Sequence, residues 1–272
     1  GAMTWLDYDF MLRALLAALI IGLIAPAIGV FLVQRRLALL GDGMGHVALT
    51  GVGLAFLTGA APVPMALGVA VLGAIGIEVL RARSRSAGDV ILALVFYGGI
   101  AGGVLLTYLA GNRAASSLNQ YLFGAITTVS AQDLVWLGAA ALFVLVVLAV
   151  FGREMFAVAF DAEVAHTQGI PTRFISTLIT VLAAVTVVIG MRTVGLLLVS
   201  AIMIVPIAAA QQVSTSFRGT ALLGAGIGAA CAVAGVIVSY YVDAPSGATI
   251  VLLTLGCFLI ALVGSGLSRR HT

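Results

Sequence analysis

The chain has 272 residues, of which 62% are hydrophobic and 8% charged, with a formal net charge of +3. Soluble domains carry roughly a quarter charged residues, so this composition cannot cover a surface in water, and apolar runs long enough to cross about 30 Å of hydrocarbon recur throughout. All thirteen basic residues are arginine; without lysine there is no P-loop and no Schiff base, so the chain does not itself hydrolyse ATP through such a loop, and it is expected to be no enzyme and to hold no permanent cofactor.

Gly1 and Ala2 ahead of Met3 read as a cloning remnant, and the first apolar run, lacking a basic leader, reads as a retained helix. Nine spans are expected, at 10–33, 39–58, 63–80, 90–110, 134–151, 174–190, 194–211, 219–241 and 248–264. The 33 glycines suit membrane helices, where small residues let backbones approach. The connections are too short for a soluble domain, so 1–272 is read as one all-α polytopic bundle.

An odd span count puts the termini on opposite sides. Placing the C-terminus in the cytoplasm gathers ten arginines there (Arg35, Arg36, Arg81, Arg83, Arg85, Arg153, Arg173, Arg218, Arg269 and Arg270), as the positive-inside rule prefers. That pattern sets topology, brings the arginines against anionic lipid and gives no sign of a nucleic-acid partner.

Three connections carry information. Residues 117–130 are too mixed to span and read as an outer loop or a short re-entrant helix. Within 152–173, Asp161 is a cap, Glu163 suits a first turn, and Gly169 with Pro171 stops the helix; Phe156, Phe160 and Val164, four apart, form an apolar stripe for a cytoplasmic partner or for the bundle itself. Asp243-Ala-Pro-Ser-Gly247 is a tight reversal. Cys231 and Cys257, far apart in sequence, read as small apolar fillers.

Charges are costly in hydrocarbon, at least about 2.5 kcal/mol near the centre. Glu78 can pair with Arg81 one turn on, and Ser86 with Asp89 can cap the fourth span. Asp42 and His46 lie about 9 and 15 Å inward from Arg36 along the second span, on one face at i,i+4. Carboxylate and imidazole suit zinc and manganese, and Gly41, Gly43, Gly45, Gly51 and Gly53 keep that helix thin. Two ligands alone are a weak signal, and a packing role stays open; a C2 dimer would double the set. Met44, Met191 and Met203 read as filler.

Several ordered motifs resemble the zinc/manganese/iron-type ABC importer permeases: Leu40-Gly41-Asp42-Gly43-Met44-Gly45-His46, LNQYLFGAITTVS at 118–130, FDAEVAHTQGIP at 160–171, GLLLVSAIMIVPIAAA at 195–210 and DAPSGATIVLL at 243–253. The resemblance implies a multi-pass permease homodimer in a bacterial plasma membrane. It also implies a cytoplasmic ATPase dimer, an external metal-binding protein, and import of a divalent metal, zinc first with manganese or iron as alternatives. It places Asp42 and His46 on the metal path and assigns Phe160, Asp161, Glu163, Ala165 and Gly169 to coupling with the ATPase. The chain departs from the family pattern at Gly45 and Thr50, where many relatives have serine and proline. The rival reading is an ion-coupled secondary transporter using Asp42 and His46 as a proton relay, which the lack of a visible internal repeat weakens. An intramembrane enzyme would need a second cluster of ligands, which the sequence near the pair does not offer.

Overall fold

Inside hydrocarbon every backbone N–H and C=O must be satisfied within its own segment, and helices do this. The computed structural model describes residues 9–84, 88–124 and 126–268, and there the chain runs as α1 (Asp9–Gln34), α2 (Leu40–Thr58), α3 (Pro62–Arg83), α4 (Gly88–Leu109), α5 (Asn112–Phe123), α6 (Ala131–Phe160), α7 (Ala162–Thr167), α8 (Thr172–Val194), α9 (Leu196–Gln211), α10 (Phe217–Val242) and α11 (Ser246–Ser268), with a 3-10 turn at Ile126–Thr128. Eight of the described helices are long and apolar enough to cross a membrane. The expected seventh span is the exception: α9 has 16 residues, about 24 Å, and falls short of that length.

The helix boundaries follow local chemistry. Pro62 opens α3 where its missing N–H costs nothing. Gly59 closes α2 in the left-handed region at φ 73°, its N–H bonding Ala55 O. Ser130 and Asp133 form a reciprocal capping box on α6, at 3.1 Å in both directions. Asp243, left-handed at φ 53°, ends α10 three residues before α11, which is the tight reversal expected there. Residues 117–124 and 126–130 hold the end of α5 and the 3-10 turn, and Gly124 lies against the Val194–Gly195 backbone. Ser86, expected to cap α4, lies outside the described residues.

Helix α6 differs most from the sequence reading. It continues nine residues past Phe151 to Phe160, because Arg153 and Glu154 end the apolar run without ending the helix. At 30 residues it is about 45 Å long. Phe156 is consequently on α6, where its ring packs on Phe217 at 4.7 Å.

Lipid gives helices no hydrophobic reason to associate, so close contact through small residues holds the bundle. Helices α1, α2 and α8 are each buried over about two thirds of their apolar stretch, whereas α3, α4, α6 and α11 turn most of theirs outward. Gly22 of α1 meets the Gly228–Ala229 backbone of α10. Cys231 and Cys257, on α10 and α11, bring their sulfurs to 3.5 Å as free thiols; 26 residues of sequence separate them, but antiparallel neighbours return to the same depth.

The packing has an internal exchange symmetry that the sequence does not display. Replacing α1–α4 by α8–α11 and the reverse carries the α1–α10, α1–α9, α2–α4 and α2–α3 contacts onto α3–α8, α2–α8, α9–α11 and α9–α10, all of which occur. With α5 and α7 not crossing, α8 traverses opposite to α1, so the repeat is inverted. The missing repeat therefore no longer weighs against a secondary transporter.

Where α1 ends, α3 and α8 meet through polar side chains. Glu78 accepts from Arg81 Nη1 at 3.0 Å, Thr180 Oγ1 at 2.6 Å and Ser176 Oγ at 2.7 Å, and Arg35 Nη2 donates to Ser176 Oγ at 2.6 Å. The expected Glu78–Arg81 pair is present within this larger network.

Candidate functional site

Asp42 and His46 both lie in the first two turns of α2, beside α4, α8 and α9. In the first turn a carboxylate is favoured by the unpaired N–H groups of the helix start. Around the pair, Gly41 faces Met203 of α9, and Gly45 faces Leu196 of α9 and Val187 of α8.

Asp42 Oδ1 accepts from Ser200 Oγ of α9 at 3.3 Å, while its Oδ2 stands 3.8 Å from His46 Nε2. That separation is too long for a hydrogen bond. It is close to the roughly 3.4 Å between two donors about 2.1 Å from a shared tetrahedral metal. The His46 ring sits against Phe96 of α4 with centroids 4.3 Å apart, nearly edge-on, and its Nδ1 is buried without a hydrogen-bond partner. The Asp42 side chain is 27% exposed and that of His46 11%, so the carboxylate is the reachable member of the pair.

Small residues fix this position. A Cβ on Gly99 would meet the His46 carbonyl carbon at 2.6 Å and Val47 N at 2.7 Å, so α4 touches the α2 backbone at the histidine itself. Thr50 Oγ1 donates to Gly99 O at 2.8 Å one turn later. Thr50 thus ties α2 to α4. Met44 is fully buried, as filler should be, while Met203 lies beside Gly41.

Among the described residues no third His, Cys, Asp or Glu joins the pair. Ser200 and Phe96 are the neighbours that sequence reasoning missed. Ser200 is 158 residues from Asp42, and its one trace in the sequence is a hydroxyl inside the apolar run 196–207.

The second set of expected residues lies elsewhere. Asp161 N-caps α7, accepting from Glu163 N at 3.0 Å and Val164 N at 3.1 Å, and Gly169 at φ 83° ends the segment. Phe160 is 70% exposed and Val164 50%, whereas Ala165 is buried. Ala165 therefore seats α7 on the bundle, and Phe160 and Val164 face outward. Phe156 leaves the expected stripe for Phe217.

At the other end of α6, Arg192 Nε pairs with Asp133 Oδ1 at 3.3 Å and its guanidinium lies 5.7 Å from the Tyr121 ring centre. Burial pushes the Tyr121 hydroxyl up from its usual range, with Arg192 opposing.

Comparison with known proteins gives one consistent result. Residues 7–265 match the model of the ABC 3 transport family. The chain is 34% identical over 258 residues to the manganese transport system membrane protein MntC of Halalkalibacterium halodurans, covering 94% of this chain and 87% of that one. It is 33% identical over 269 residues to a "Probable iron transport system membrane protein" of Haemophilus influenzae, covering 97% of each. The structure of PsaBC from Streptococcus pneumoniae in complex with Fab superposes with a TM-score of 0.84 at 28% identity, covering 94% of this chain and 92% of that chain. The names of these relatives carry manganese and iron; none of the three carries zinc.

Proposed function

The chain belongs to the ABC 3 transport family and is a multi-pass metal ABC transporter permease; from that premise we propose that it imports a divalent first-row metal, manganese or iron(II) ahead of zinc, through a path on which Asp42 and His46 are a waypoint. The observation that carries this reading is the half-built pair: one carboxylate and one imidazole 3.8 Å apart, with no third ligand from the described residues. Two ligands hold a passing ion weakly enough to release it, as conduction requires.

The donor set carries no thiolate, which leaves manganese and iron(II) as acceptable as zinc. Zinc binds such a set more tightly than manganese by the Irving–Williams order, so selection of manganese rests on availability and delivery rather than on this pair. A homodimer bringing the pair together with its symmetry mate would supply four ligands at one level, and an external metal-binding protein would load it.

The energy source is a separate cytoplasmic ATPase dimer, since the chain has no lysine for a nucleotide loop. Its dock is α7 and its flanks: Phe160, Asp161, Glu163 and Gly169, with Ala165 as the buried seat.

The test is uptake into sealed vesicles holding the permease with its ATPase and supplied with the external metal-binding protein that delivers the ion. Manganese uptake that needs ATP, and that excess iron(II) reduces more than zinc does, supports the proposal. Uptake by the permease alone, driven by a proton gradient, would favour the proton-relay reading instead.

A further inference from the structure

Two short connections at the arginine-rich end of the bundle are built alike. After α1, Leu37 N bonds Leu32 O at 2.8 Å and Arg36 N bonds Val33 O at 3.0 Å, with Arg36 left-handed at φ 59°. After α7, Ile170 N bonds Ala165 O and Gly169 N bonds His166 O, both at 3.1 Å, with Gly169 left-handed at φ 83°. Each is the paired closure of a Schellman motif, which ties the outgoing chain to the last turn of its helix. Neither connection is slack. Helix α7 leads through Pro171 straight into α8, and Arg35, directly after α1, leads into the first turn of α2, which carries Asp42.

The two connections meet at one hydroxyl. Ser176, just past the first turn of α8, accepts from Arg35 Nη2 at 2.6 Å and donates to Glu78 Oε2 at 2.7 Å. It stands between a cation and a carboxylate close enough to pair directly if it were removed. Among the described residues Glu78 has its ion pair with Arg81, whereas Arg35 has none, and Arg35 Nη1 is buried without a hydrogen bond. These groups therefore have two arrangements. In the one observed, Arg35 is held through Ser176 of α8. In the other, reached when α8 withdraws the hydroxyl, Arg35 closes on Glu78 of α3 in a charge-assisted bond. Energetic coupling between sites travels through elements with two discrete arrangements of this kind.

Apolar contact does not supply the same link. Val187 of α8 lies beside Gly41 and Gly45 of α2, but dispersion loses up to half its attraction over about 1 Å. Such a contact pushes without pulling. A hydrogen bond from a charged group resists separation as well.

We propose that Ser176 is a positioning residue for transport: through Arg35 it makes the first turn of α2, with Asp42, follow the start of α8 when α7 moves. The proposal rests on the reading of α7 as the ATPase dock. Without the hydroxyl, Arg35 passes to Glu78, and the α1–α2 turn is held to α3 in place of α8.

The deciding measurement is the ATP hydrolysed per manganese ion imported by the permease–ATPase complex, in sealed vesicles supplied with the external metal-binding protein. Ser176→Ala should raise that ratio about tenfold, with ATP hydrolysis near the wild-type rate and uptake reduced. Ser176→Thr, which keeps a hydroxyl and has a cavity beside it for the added methyl group, should restore the wild-type ratio. Arg35→Met, of similar length but without donors, should uncouple to the same degree and add nothing to Ser176→Ala, because both cut one link. A wild-type ratio in Ser176→Ala overturns the proposal. So does a Ser176→Thr no better than alanine, which would make the position one of packing, or full additivity with Arg35→Met, which would put the arginine on another route. Loss of the ATPase from Ser176→Ala in a pull-down also overturns it, since the serine would then serve the dock itself. Val164→Pro that keeps its ATPase faults the dock alone, and the ratio in Ser176→Ala still decides the role of the serine.

Discussion

Substituting Gly99 by alanine tests whether the contact between α2 and α4 holds His46 in place. The added Cβ falls 2.6 Å from the His46 carbonyl carbon and 2.7 Å from Val47 N, all backbone, so no side chain can swing aside. Restoring ordinary contact takes about 1 Å of helix separation, and overpacking of this kind costs about 1–3 kcal/mol. The same movement stretches the 2.8 Å bond from Thr50 Oγ1 to Gly99 O, worth about 0.6 kcal/mol within a membrane bundle. Alanine returns up to about 1 kcal/mol through its better helix propensity. The net cost is about 2 kcal/mol, a factor of about thirty in the folding equilibrium. Gly138→Ala on α6, where a Cβ meets nothing within 4 Å, is the matched control. Both proteins would be titrated with a denaturing detergent to find the unfolding midpoint, and assayed for manganese uptake. Gly99→Ala should unfold earlier and transport more slowly. If it matches Gly138→Ala in both measurements, α4 does not position His46 and the packing argument fails.

Asp42→Asn and His46→Ala should each reduce metal uptake by tenfold or more while the complex still co-purifies, and full uptake in either would return the pair to a packing role. Val164→Pro in α7 should release the ATPase in a pull-down without unfolding the membrane bundle, because Val164 faces outward and α7 is a surface segment; unchanged co-purification would place the dock elsewhere. Asp161→Ala removes the cap bonded to Glu163 N and Val164 N, about 1 kcal/mol, and should weaken ATPase binding to a smaller degree. Glu78→Ala strips the acceptor from Arg81, Ser176 and Thr180 and leaves buried positive charge behind, so the unfolding midpoint should fall by the equivalent of about 3 kcal/mol; no shift would mean that water replaces the carboxylate there.

How far the sequence reads the molecule depends on whether the signal is local. Hydropathy locates the spans because insertion energy is paid residue by residue, and the α7 segment is legible because Asp161 and Gly169 act on their own neighbours. Helix α6 outruns its apolar stretch because a helix ends at a capping or breaking residue, here Asp161, and not where the hydrocarbon ends. Asp42 and His46 stand out by the cost of charge in lipid, but Ser200 and Phe96 reach them only through folding, across α9 and α4. The contact between Cys231 and Cys257 and the exchange of α1–α4 with α8–α11 are hidden for the same reason: each depends on which helices become neighbours.

Helix α6 ties the two faces of the molecule together mechanically. Its start is pinned by the Ser130–Asp133 box and the Asp133–Arg192 pair, and its end passes through Asp161 directly into α7. With about 45 Å of helix and no proline between these points, it acts as a stiff rod longer than the hydrocarbon it crosses. A pivot of about 5° about its middle would move each tip by about 2 Å in opposite senses. A displacement of α7 is therefore passed toward Arg192 and Tyr121 along one continuous helix.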